Sequence, residues 1–386
     1  MPASASCTTS TWPRLTNPRL ELHIGIMSGT SLDGIDVALV AFTQGKPQLR
    51  ATHYRPYGTA LKETLLALHQ PAANELHLAY MTANELAREY ASATCDMLHA
   101  AGIAAEDVRS IGCHGQTIRH CPEQGYTVQI GNSALLAELT DITVVSDFRS
   151  RDIAAGGHGA PLVPAFHDMT LRHPSLHRVI VNIGGIANLS NLPPGAATIG
   201  FDCGPGNMLM DAWIAQHRGE AYDNNGAWAA QGKVIPAMLQ AMKNEPYFSA
   251  APPKSCGRDL FSMDWLKKHL QGGEAPADVQ ATLLALTGES IAEAIGKFCP
   301  GTQEVYLCGG GAHNSALRNY LGQALPDCRI QLTDALGVGA DWMEAIAFAW
   351  LARQALHGTP ANLPQVTGAA HPCILGAIYP SHPLYK

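Results

Sequence analysis

Apolar and polar positions occur in blocks along the chain, and the first clear block predicts a β-hairpin. Ile24–Met27 and Ile35–Val40 are apolar runs of strand length, joined by glycines, hydroxyl residues and a carboxylate. Apolar runs bounded by turn residues are typical of hairpin strands. Arg178–Leu192 repeats the order of strand, glycine turn and strand in the other half of the chain. Two such units predict a duplicated core, with one hairpin in each of two lobes.

Longer apolar periodicities predict helices between shorter strands. Apolar residues three to four positions apart predict helices at Thr59–Leu68, Glu75–Ala101, Asp278–Phe298, Ser315–Leu325 and Asp341–His357. In the second helix we expect the core-facing residues to be Leu76, Leu78, Ala79, Met81, Leu86, Tyr90, Cys95 and Leu98, with Gly102 ending the helix. Further strands are predicted at Pro47–Tyr57, Tyr126–Ile130, Thr143–Val145 and Glu304–Cys308, and from Val108 and Thr198 onward. This order of elements predicts an α/β fold.

The loop of the first hairpin carries groups that suit phosphate oxygens. Gly29 and Gly34 permit backbone conformations that turn successive N–H groups toward one point, and Ser28, Thr30 and Ser31 add hydroxyl donors. Taken alone, such a loop also fits a plain, solvated hairpin end. No G-x-x-x-x-G-K-[ST] sequence occurs, so a P-loop kinase is excluded and backbone hairpins would have to hold any phosphates.

Two later glycine segments follow predicted strands. Asp202 ends an apolar strand just before Gly204–Asn207, where a helix begins. Free N–H groups and the helix dipole favour an anion there. A carboxylate beside a phosphate chain suits a general base, although Asp202 could instead simply cap the turn. Gly309–Gly311 also lies between a strand and a helix, where adjacent glycines let backbone approach a flat ring or a ribose closely.

Polar side chains also stand where other strands end. His114, Gln116 and Thr117 follow a short buried strand, the usual place for binding groups in α/β folds. Another predicted strand is followed by Ser146–Asp152, where an arginine could bind a carboxylate or a polar sugar substituent in two places at once. His114 could instead be a loop histidine whose hydrogen bonds are made within the protein. The arginines and aspartates of Ser146–Asp152 could form a surface ion-pair cluster. Glu344 stands near the start of the last helix among residues that look buried.

Composition narrows the class of protein. A length of 386 residues suggests two or three domains, and 46% hydrophobic with 15% charged residues is typical of a globular protein. A net charge of −7 without a long basic run argues against a nucleic-acid partner, and no apolar stretch is long enough to span a bilayer. Ten cysteines without a C-x-x-C pair indicate reduced thiols in the cytoplasm. The sequence contains no H-E-x-x-H arrangement, which argues against a catalytic zinc.

Together these segments resemble the anhydro-N-acetylmuramic acid kinase family, a branch of the acetate/sugar kinase, Hsp70 and actin superfamily. The resemblance covers residues 24 to about 380. Its motifs are G-I-M-S-G-T-S-L-D-G-I-D at 25–36, H-G-Q-T at 114–117, G-F-D-C-G-P-G-N at 200–207 and C-G-G-G-A-H-N at 308–314.

The resemblance implies a two-lobed, actin-like ATPase fold, in which a ribonuclease H-like unit is duplicated, with a five-stranded mixed sheet in each lobe and a cleft between them. We predict a disordered extension at 1–20, an N-terminal lobe at 21–155, onto which the tail at 366–386 packs back, and a C-terminal lobe at 156–365. Gly156–Gly159 is the predicted flexible crossing and hinge, on glycine content alone. A homodimer is compatible with the family likeness.

The resemblance also assigns site residues. The nucleotide-binding residues it implies are Gly29, Thr30, Ser31, Leu32, Asp33, Gly34, Ile35 and Asp36 in a first phosphate loop, Gly204, Gly206 and Asn207 in a second, and Gly309, Gly310, Gly311 and Asn314 beside the adenosine. Asp202 would be the catalytic base. Gln116, Thr117, Arg151 and Glu344 would bind the sugar. ATP is the implied cosubstrate, and Mg²⁺ is expected for phosphoryl transfer although the sequence leaves its ligands unknown.

The implied reaction converts 1,6-anhydro-N-acetylmuramate, ATP and water into N-acetylmuramate 6-phosphate and ADP, in the recycling of cell-wall peptidoglycan and the catabolism of amino sugars. One alternative is another sugar or carboxylate kinase of the superfamily, in which Asp202 deprotonates a hydroxyl directly. A different class of protein is a nucleotide-dependent binding protein or sugar sensor without turnover. Fold alone does not choose among these alternatives.

Overall fold

The computed structural model describes residues 20–29, 31–257 and 260–381. The predicted extension therefore lies outside the described residues, except for Leu20. The first half of the chain contains, in order, β1 (Leu20–Met27), β2 (Gly34–Thr43), β3 (Lys46–Pro56), α1 (Thr59–Ala67), α2 (Glu75–Ala101), β4 (Val108–Cys113), β5 (Gln116–Cys121), β6 (Tyr126–Ile130), α3 (Ser133–Thr140), β7 (Val144–Ser146), α4 (Ser150–Ala154) and α5 (Val163–Leu171).

The remaining elements follow from residue 178 onward. They are β8 (Arg178–Ile183), β9 (Ile186–Leu192), β10 (Ile199–Pro205), α6 (Met208–Arg218), α7 (Pro236–Lys243), α8 (Pro246–Ser249), α9 (Met263–Lys267), α10 (Pro276–Phe298), β11 (Glu304–Cys308), α11 (Ser315–Ala324), β12 (Arg329–Leu332), α12 (Met343–Leu356), α13 (Pro364–Thr367) and β13 (Ala377–Tyr379). Both predicted hairpins, β1–β2 and β8–β9, are confirmed as antiparallel pairs.

Two mixed sheets share one topology. The first has the strand order β13-β7-β4-β1-β2-β3, and the second has the order β10-β9-β8-β11-β12. In each sheet three antiparallel strands are followed by a fourth strand parallel to the first, and a fifth parallel to the fourth. The duplicated, actin-like α/β fold is therefore confirmed. The prediction of five strands per sheet is wrong for the first sheet, because β13 pairs antiparallel with β7 as a sixth strand.

Helix α12 packs directly on the first sheet, although the predicted division places it in the C-terminal lobe. Gly25 and Gly112 are paired neighbours on β1 and β4. A Cβ atom on Gly25 would lie 1.7 Å from the Ala345 carbonyl oxygen, and one on Gly112 would lie 2.0 Å from that of Phe348. The two glycines thus let α12 approach the sheet more closely than any larger residue would allow.

Helix α2 has the predicted bounds and ends at Gly102, which adopts the left-handed conformation with φ of 65°. Its predicted inner face is partly wrong. Leu76, Leu78 and Met81 are 73%, 39% and 56% exposed, and Cys95 is exposed as well. Ala79, Leu86, Tyr90 and Leu98 are buried as predicted. The buried stripe also runs through Ala83 and Ala87, whose short side chains let the helix lie close to the sheet.

The glycine-rich segment between the two halves of the chain is held by hydrogen bonds. The fully buried Asp152 accepts from the Gly159 N–H at 2.8 Å, from Asn362 Nδ2 at 2.6 Å and from Thr367 Oγ1 at 2.8 Å. The His158 N–H donates to the Thr367 carbonyl at 2.8 Å. These contacts anchor Gly156–Gly159 to the end of the chain, which does not favour the flexible crossing predicted from glycine content.

Candidate functional site

The loop between β1 and β2 is held by hydrogen bonds to the turn between β4 and β5. The buried Ser28 Oγ lies 2.7 Å from the Tyr90 hydroxyl and donates to the Gly115 carbonyl at 3.0 Å. Gln116 Nε2 donates to the Gly29 carbonyl at 3.0 Å. The loop closes on itself where the Leu32 N–H donates to Gly29 O at 3.2 Å. Thr30, predicted to bind phosphate, lies outside the described residues.

Carboxylates gather beside this loop. Burial raises the pKa of Asp36 to about 7, and the charges of Asp33, Glu344 and Asp341 add to the shift. Burial also raises the pKa of Glu344, with the Arg149 guanidinium opposing and Asp33 adding to the shift. Like charges held together in a partly buried site favour protonation or a bound cation. The electrostatics of this corner therefore suit a ligand that brings positive charge.

The second hairpin supports the second glycine loop. The Gly206 N–H donates to Gly185 O at 2.9 Å, and the Asn207 N–H donates to Gly184 O at 2.8 Å. A Cβ atom on Gly206 would lie 2.3 Å from Gly184 O, so this position requires glycine. Helix α6 begins at the next residue, Met208, whose N–H also donates to Gly185 O, at 3.2 Å.

The third glycine segment meets the second. A Cβ atom on Gly311 would lie 2.6 Å from Asn207 Oδ1, which brings the segment from Gly309 to Asn314 against the Gly204–Asn207 loop. Asn314 caps α11, since its Oδ1 accepts from the Leu317 N–H at 3.1 Å. The structure thus brings together two of the three segments predicted at the nucleotide, on the second sheet, while the first loop belongs to the first sheet.

Asp202 lies in β10 at an irregularity of the ladder. The pairing of β10 with β9 shifts register between Asp202 and Gly204, and Gly204 has a φ of 153° that favours glycine. Such bulges re-aim a side chain next to a functional site. Asp202 Oδ2 accepts from the Cys256 N–H at 3.0 Å. Burial raises the pKa of Asp202 to about 6, while the Cys256 hydrogen bond and the Lys254 charge oppose the shift.

The four residues predicted at the sugar lie in different environments. Gln116 is fully buried, and its Oε1 accepts from the Tyr57 hydroxyl at 3.3 Å, so in this conformation its amide supports the first loop. Thr117 is half-buried, and its Oγ1 accepts from Gln129 Nε2 at 3.1 Å. Arg151 is exposed on α4. Glu344 is half-buried at the start of α12 and interacts electrostatically with Arg149.

Arg149, rather than Arg151, is the arginine at the centre of this network. Its Nη1 donates to the Gly159 carbonyl at 2.8 Å, and its Nη2 lies 3.0 Å from His114 Nε2. Burial and the Arg149 charge lower the pKa of His114 to about 3, so the ring is neutral. His114 Nδ1 then donates to the Ser28 carbonyl at 3.2 Å and its Nε2 accepts from Arg149. The sequence could not reveal which arginine of the pair points inward.

A polar cavity of about 230 Å³ opens beside this network. It is lined by residues of the β5–β6 hairpin and of the segment before α4, among them His114, Gly115, Gln129, Asp147 and Ser150. None of the described helices is long and apolar enough to cross a membrane. Within the same described ranges, no group of three or more His, Cys, Asp or Glu side chains could hold a metal ion by itself.

The chain is similar to proteins of one family along most of its length. A family model described as anhydro-N-acetylmuramic acid kinase matches residues 21–381. The chain is 58% identical over 361 residues to the anhydro-N-acetylmuramic acid kinase of Nitrosospira multiformis, covering 93% of this chain and 99% of that one. The kinase of the same name from Nitrosomonas europaea is 56% identical over 361 residues, with the same 93% and 99% coverage.

Among solved structures, component A of the Acidaminococcus fermentans (R)-2-hydroxyglutaryl-CoA dehydratase matches with a TM-score of 0.47 and 14% identity, over 86% of this chain and 96% of that one. The family match and the two relatives each extend over more than nine tenths of the chain. The chain therefore belongs to the anhydro-N-acetylmuramic acid kinase family.

Proposed function

We propose that this chain is an ATP-dependent kinase that opens 1,6-anhydro-N-acetylmuramic acid with water and phosphorylates it at O6. The products are N-acetylmuramate 6-phosphate and ADP. The reaction serves the recycling of cell-wall peptidoglycan, and because it consumes ATP we assign it to the cytoplasm. The observation that carries the mechanism is Asp202, a partly buried carboxylate whose pKa is raised to about 6, two residues before a glycine loop at a helix N-terminus.

Asp202 acts as the general base in this proposal. It takes a proton from a water molecule as the water oxygen forms a bond to C1 of the sugar. The C1–O6 bond breaks, and its electron pair stays on O6. O6 then forms a bond to the γ-phosphorus, while the bond from that phosphorus to the β–γ bridging oxygen breaks and releases ADP. One carboxylate suffices because the phosphoryl group, rather than a protonated acid, receives the leaving oxygen.

The stereochemical outcome follows from this sequence of bonds. Water attacks C1 from the face opposite to the departing O6, so the configuration at C1 inverts, as in inverting glycosidases. The anomer formed first can be identified by rapid proton NMR, before mutarotation mixes the two forms. Retention of configuration at C1 would rule out direct attack by water.

The glycine segments suit the nucleotide. We assign the β- and γ-phosphates to the first loop, Gly29–Asp36, and to the second loop, Gly204–Asn207, and the adenosine to Gly309–Gly311 and Asn314. The close approach of Gly311 to Asn207 supports a shared nucleotide site for the last two segments. Backbone N–H groups aimed at one point are suited to phosphate oxygens.

Mg²⁺ fits the carboxylates beside the first loop. Mg²⁺ usually keeps several waters and takes one or two carboxylates together with substrate phosphates, so a closed protein cage is not required. Asp33 and Asp36 would hold it, and the pKa of Asp36, raised to about 7 by burial and by its acidic neighbours, indicates a site that favours added positive charge. When bound, the ion neutralises charge on the transferring phosphoryl group.

For the sugar we retain Gln116, Thr117, Arg151 and Glu344 as proposed contacts. Thr117 lies on the β5–β6 hairpin, which also lines the polar cavity beside His114. Arg151 is exposed, so its side chain can turn toward a carboxylate of the substrate. Its guanidinium would then bind both oxygens of that carboxylate.

The decisive experiment measures ADP release with 1,6-anhydro-N-acetylmuramate for the intact protein and for Asp202→Asn. The substitution keeps the shape but removes the base, so it should leave sugar binding intact and lower kcat about a hundredfold or more. Asp327→Asn, an exposed position, is the matched control and should leave kcat unchanged. Full turnover by Asp202→Asn would contradict the assigned base.

A second measurement separates this reaction from direct phosphorylation of a hydroxyl. With ¹⁸O-labelled water, the proposed reaction places one label at C1 of the product in every turnover. A superfamily kinase that phosphorylates a hydroxyl directly incorporates none. Binding of ATP and sugar without any product would instead favour a sensor.

A further inference from the structure

Lys254 lies beside Asp202 in a segment that covers β10. Its backbone carbonyl accepts from the Asp202 N–H at 3.2 Å. Its ammonium donates to the Tyr247 carbonyl at 3.1 Å, and the Tyr247 hydroxyl in turn donates to the Asp202 carbonyl at 2.7 Å. Cys256, two residues further on, donates its N–H to the Asp202 carboxylate. The segment from Tyr247 to Cys256 therefore holds Asp202 at its N–H, its carbonyl and its side chain.

The Lys254 ammonium sits in an aromatic cradle. It lies 4.6 Å from the centroid of the Tyr247 ring, 5.8 Å from that of Phe298 and 6.0 Å from that of Phe201. Ring faces attract a cation but do not neutralise it. No carboxylate within the described ranges lies within 4.0 Å of its Nζ, unlike Lys243, which pairs with Glu289 and Glu293. The charge of Lys254 is thus left to act on Asp202 at longer range.

The charged and titratable groups around this pair act in opposite directions. Burial raises the pKa of Asp202, while the hydrogen bond from the Cys256 N–H and the charge of Lys254 oppose that shift. Burial lowers the pKa of Lys254; Lys297 lowers it further, whereas Cys203, Cys256 and Asp202 oppose that shift. Lys297 belongs to α10, and its ammonium lies 4.9 Å from the centroid of the Phe298 ring.

We propose that Lys254 is a positioning residue for the reaction, which fixes the covering segment on β10 and uses its charge to keep Asp202 ionised and ready to accept a proton. The proposal rests on the assigned role of Asp202 as the base. A base that must accept a proton in every turnover is inactive when it is already protonated. A fixed cation near an acid favours the carboxylate form and extends its working range toward lower pH.

The test compares the pH dependence of kcat/KM for the intact enzyme, Lys254→Met and Lys254→Gln. Met removes the charge and keeps an apolar stem in the aromatic cradle, while Gln keeps a donor toward the Tyr247 carbonyl without the charge. In both variants the acid limb of the kcat/KM profile should shift to higher pH by about one unit, as expected for the loss of one nearby charge. Near pH 6 this lowers kcat/KM about five- to tenfold relative to the intact enzyme, with a smaller change on the plateau.

Lys297→Met is the control for loss of a lysine charge in the same cluster. Lys297 also lies over the Phe298 ring, and its ammonium donates to the Ser249 carbonyl of the covering segment at 3.1 Å, but it is not one of the groups that shift the pKa of Asp202. Its acid limb should stay in place. Lys254→Arg restores the charge and should return the limb toward its original position. A purely structural role for Lys254 would lower the plateau and leave the limb where it is, and that result in a folded Lys254→Gln protein would overturn the proposal.

The outcomes separate this inference from the proposed function. If Asp202→Asn retains full turnover, Asp202 is not the base and both proposals fail. If Asp202→Asn is inactive but the Lys254 variants keep the original acid limb, only the role of Lys254 fails. Circular dichroism at each pH checks that every variant remains folded over the range measured.

Discussion

At the scale of single residues, the site combines two carboxylates whose pKa values are both raised mainly by burial, among different neighbours. The Cys256 hydrogen bond and the Lys254 charge oppose the shift of Asp202, whereas acidic neighbours add to the shift of Asp36. The first is suited to accept a proton and the second to sit beside a cation. Their positions on β10 and β2 assign base chemistry to one sheet and cation binding to the other.

The raised pKa of Asp202 predicts the pH dependence of the reaction. Only the carboxylate can accept a proton, so kcat/KM should fall about tenfold per pH unit below about pH 6 and level off above it. Steady-state ADP release between pH 5 and 8 measures this profile. A rate that stays flat between pH 5 and 7 would contradict the prediction.

Asp36 should affect stability in a pH-dependent way. Its folded pKa of about 7 exceeds its ordinary value of 3.8, so the folded state favours the protonated form. The stability it contributes is present below about pH 4 and is lost as the pH rises through 7. Asp36→Asn should therefore raise the free energy of unfolding of the free enzyme at pH 8, by at most on the order of 4 kcal/mol, by less than half as much at pH 5, and by little at pH 4.

Thermal unfolding at the two pH values tests that expectation. Asp107→Asn, at an exposed position before β4, is the control and should give the same small change in Tm at both. A gain of stability for Asp36→Asn that is equal at pH 5 and pH 8 would mean that its ionisation is not the cause. Because Asp36 is a proposed nucleotide-site residue, the variant should also bind Mg²⁺–ATP more weakly.

The sequence identified most of these residues by type but not their orientation. Asp202, Glu344 and the glycine loops stand out because each interrupts an apolar block. Arg149 and Arg151 differ by two positions, and only the short helix α4 decides that Arg149 turns inward while Arg151 stays exposed. Lys254 gave no signal, because the aromatic rings around it come from β10, α8 and α10, which are far apart in sequence.

At the scale of elements, periodicity predicts the strands and long helices well, and fails where burial depends on small residues. The inner face of α2 is made largely of alanines, so the large apolar residues at its start give a misleading stripe. β13 could not be predicted, because its three residues are all exposed and only their pairing with β7 makes them a strand. The glycines of β1 and β4 mark the contact with α12, which no apolar pattern reveals.

That close contact predicts a large effect of one methyl group. Gly112→Ala should push α12 away from the first sheet, lower the free energy of unfolding by about 1–3 kcal/mol or more, and lower kcat/KM because Glu344 moves with the helix. Urea unfolding and ADP release measure the two effects. Gly58→Ala, where a Cβ atom meets open space, is the control and should be tolerated. A Gly112→Ala protein of normal stability would show that α12 can shift without cost.

At the scale of the whole molecule, the proposed nucleotide segments are divided between the two sheets. The first loop joins β1 and β2, while the second loop and Gly309–Asn314 lie on the second sheet. A nucleotide that contacts all three segments should draw the sheets together and exclude bulk water, which limits idle hydrolysis of ATP.

Solution scattering tests this closure. The radius of gyration should decrease when a non-hydrolysable ATP analogue and the sugar are both present, and less or not at all with the sugar alone. Scattering profiles that superimpose with and without both ligands would exclude closure.

Asp152 anchors Gly156–Gly159 through its hydrogen bonds. We therefore expect Asp152→Asn to lower the free energy of unfolding by several kcal/mol, as for loss of a buried charged acceptor, rather than to loosen a hinge.

The pairing of β13 with β7 also has a consequence for synthesis on the ribosome. The second sheet draws only on residues 178–332, so it can assemble while translation continues. The first sheet receives α12 and β13 only after the remaining residues up to 379 have emerged. Its apolar strands β1 and β4 thus stay uncovered on one side for most of translation, an interval in which nascent-chain chaperones or self-association would compete for them. Native structure would then appear first in the later-made half of the protein.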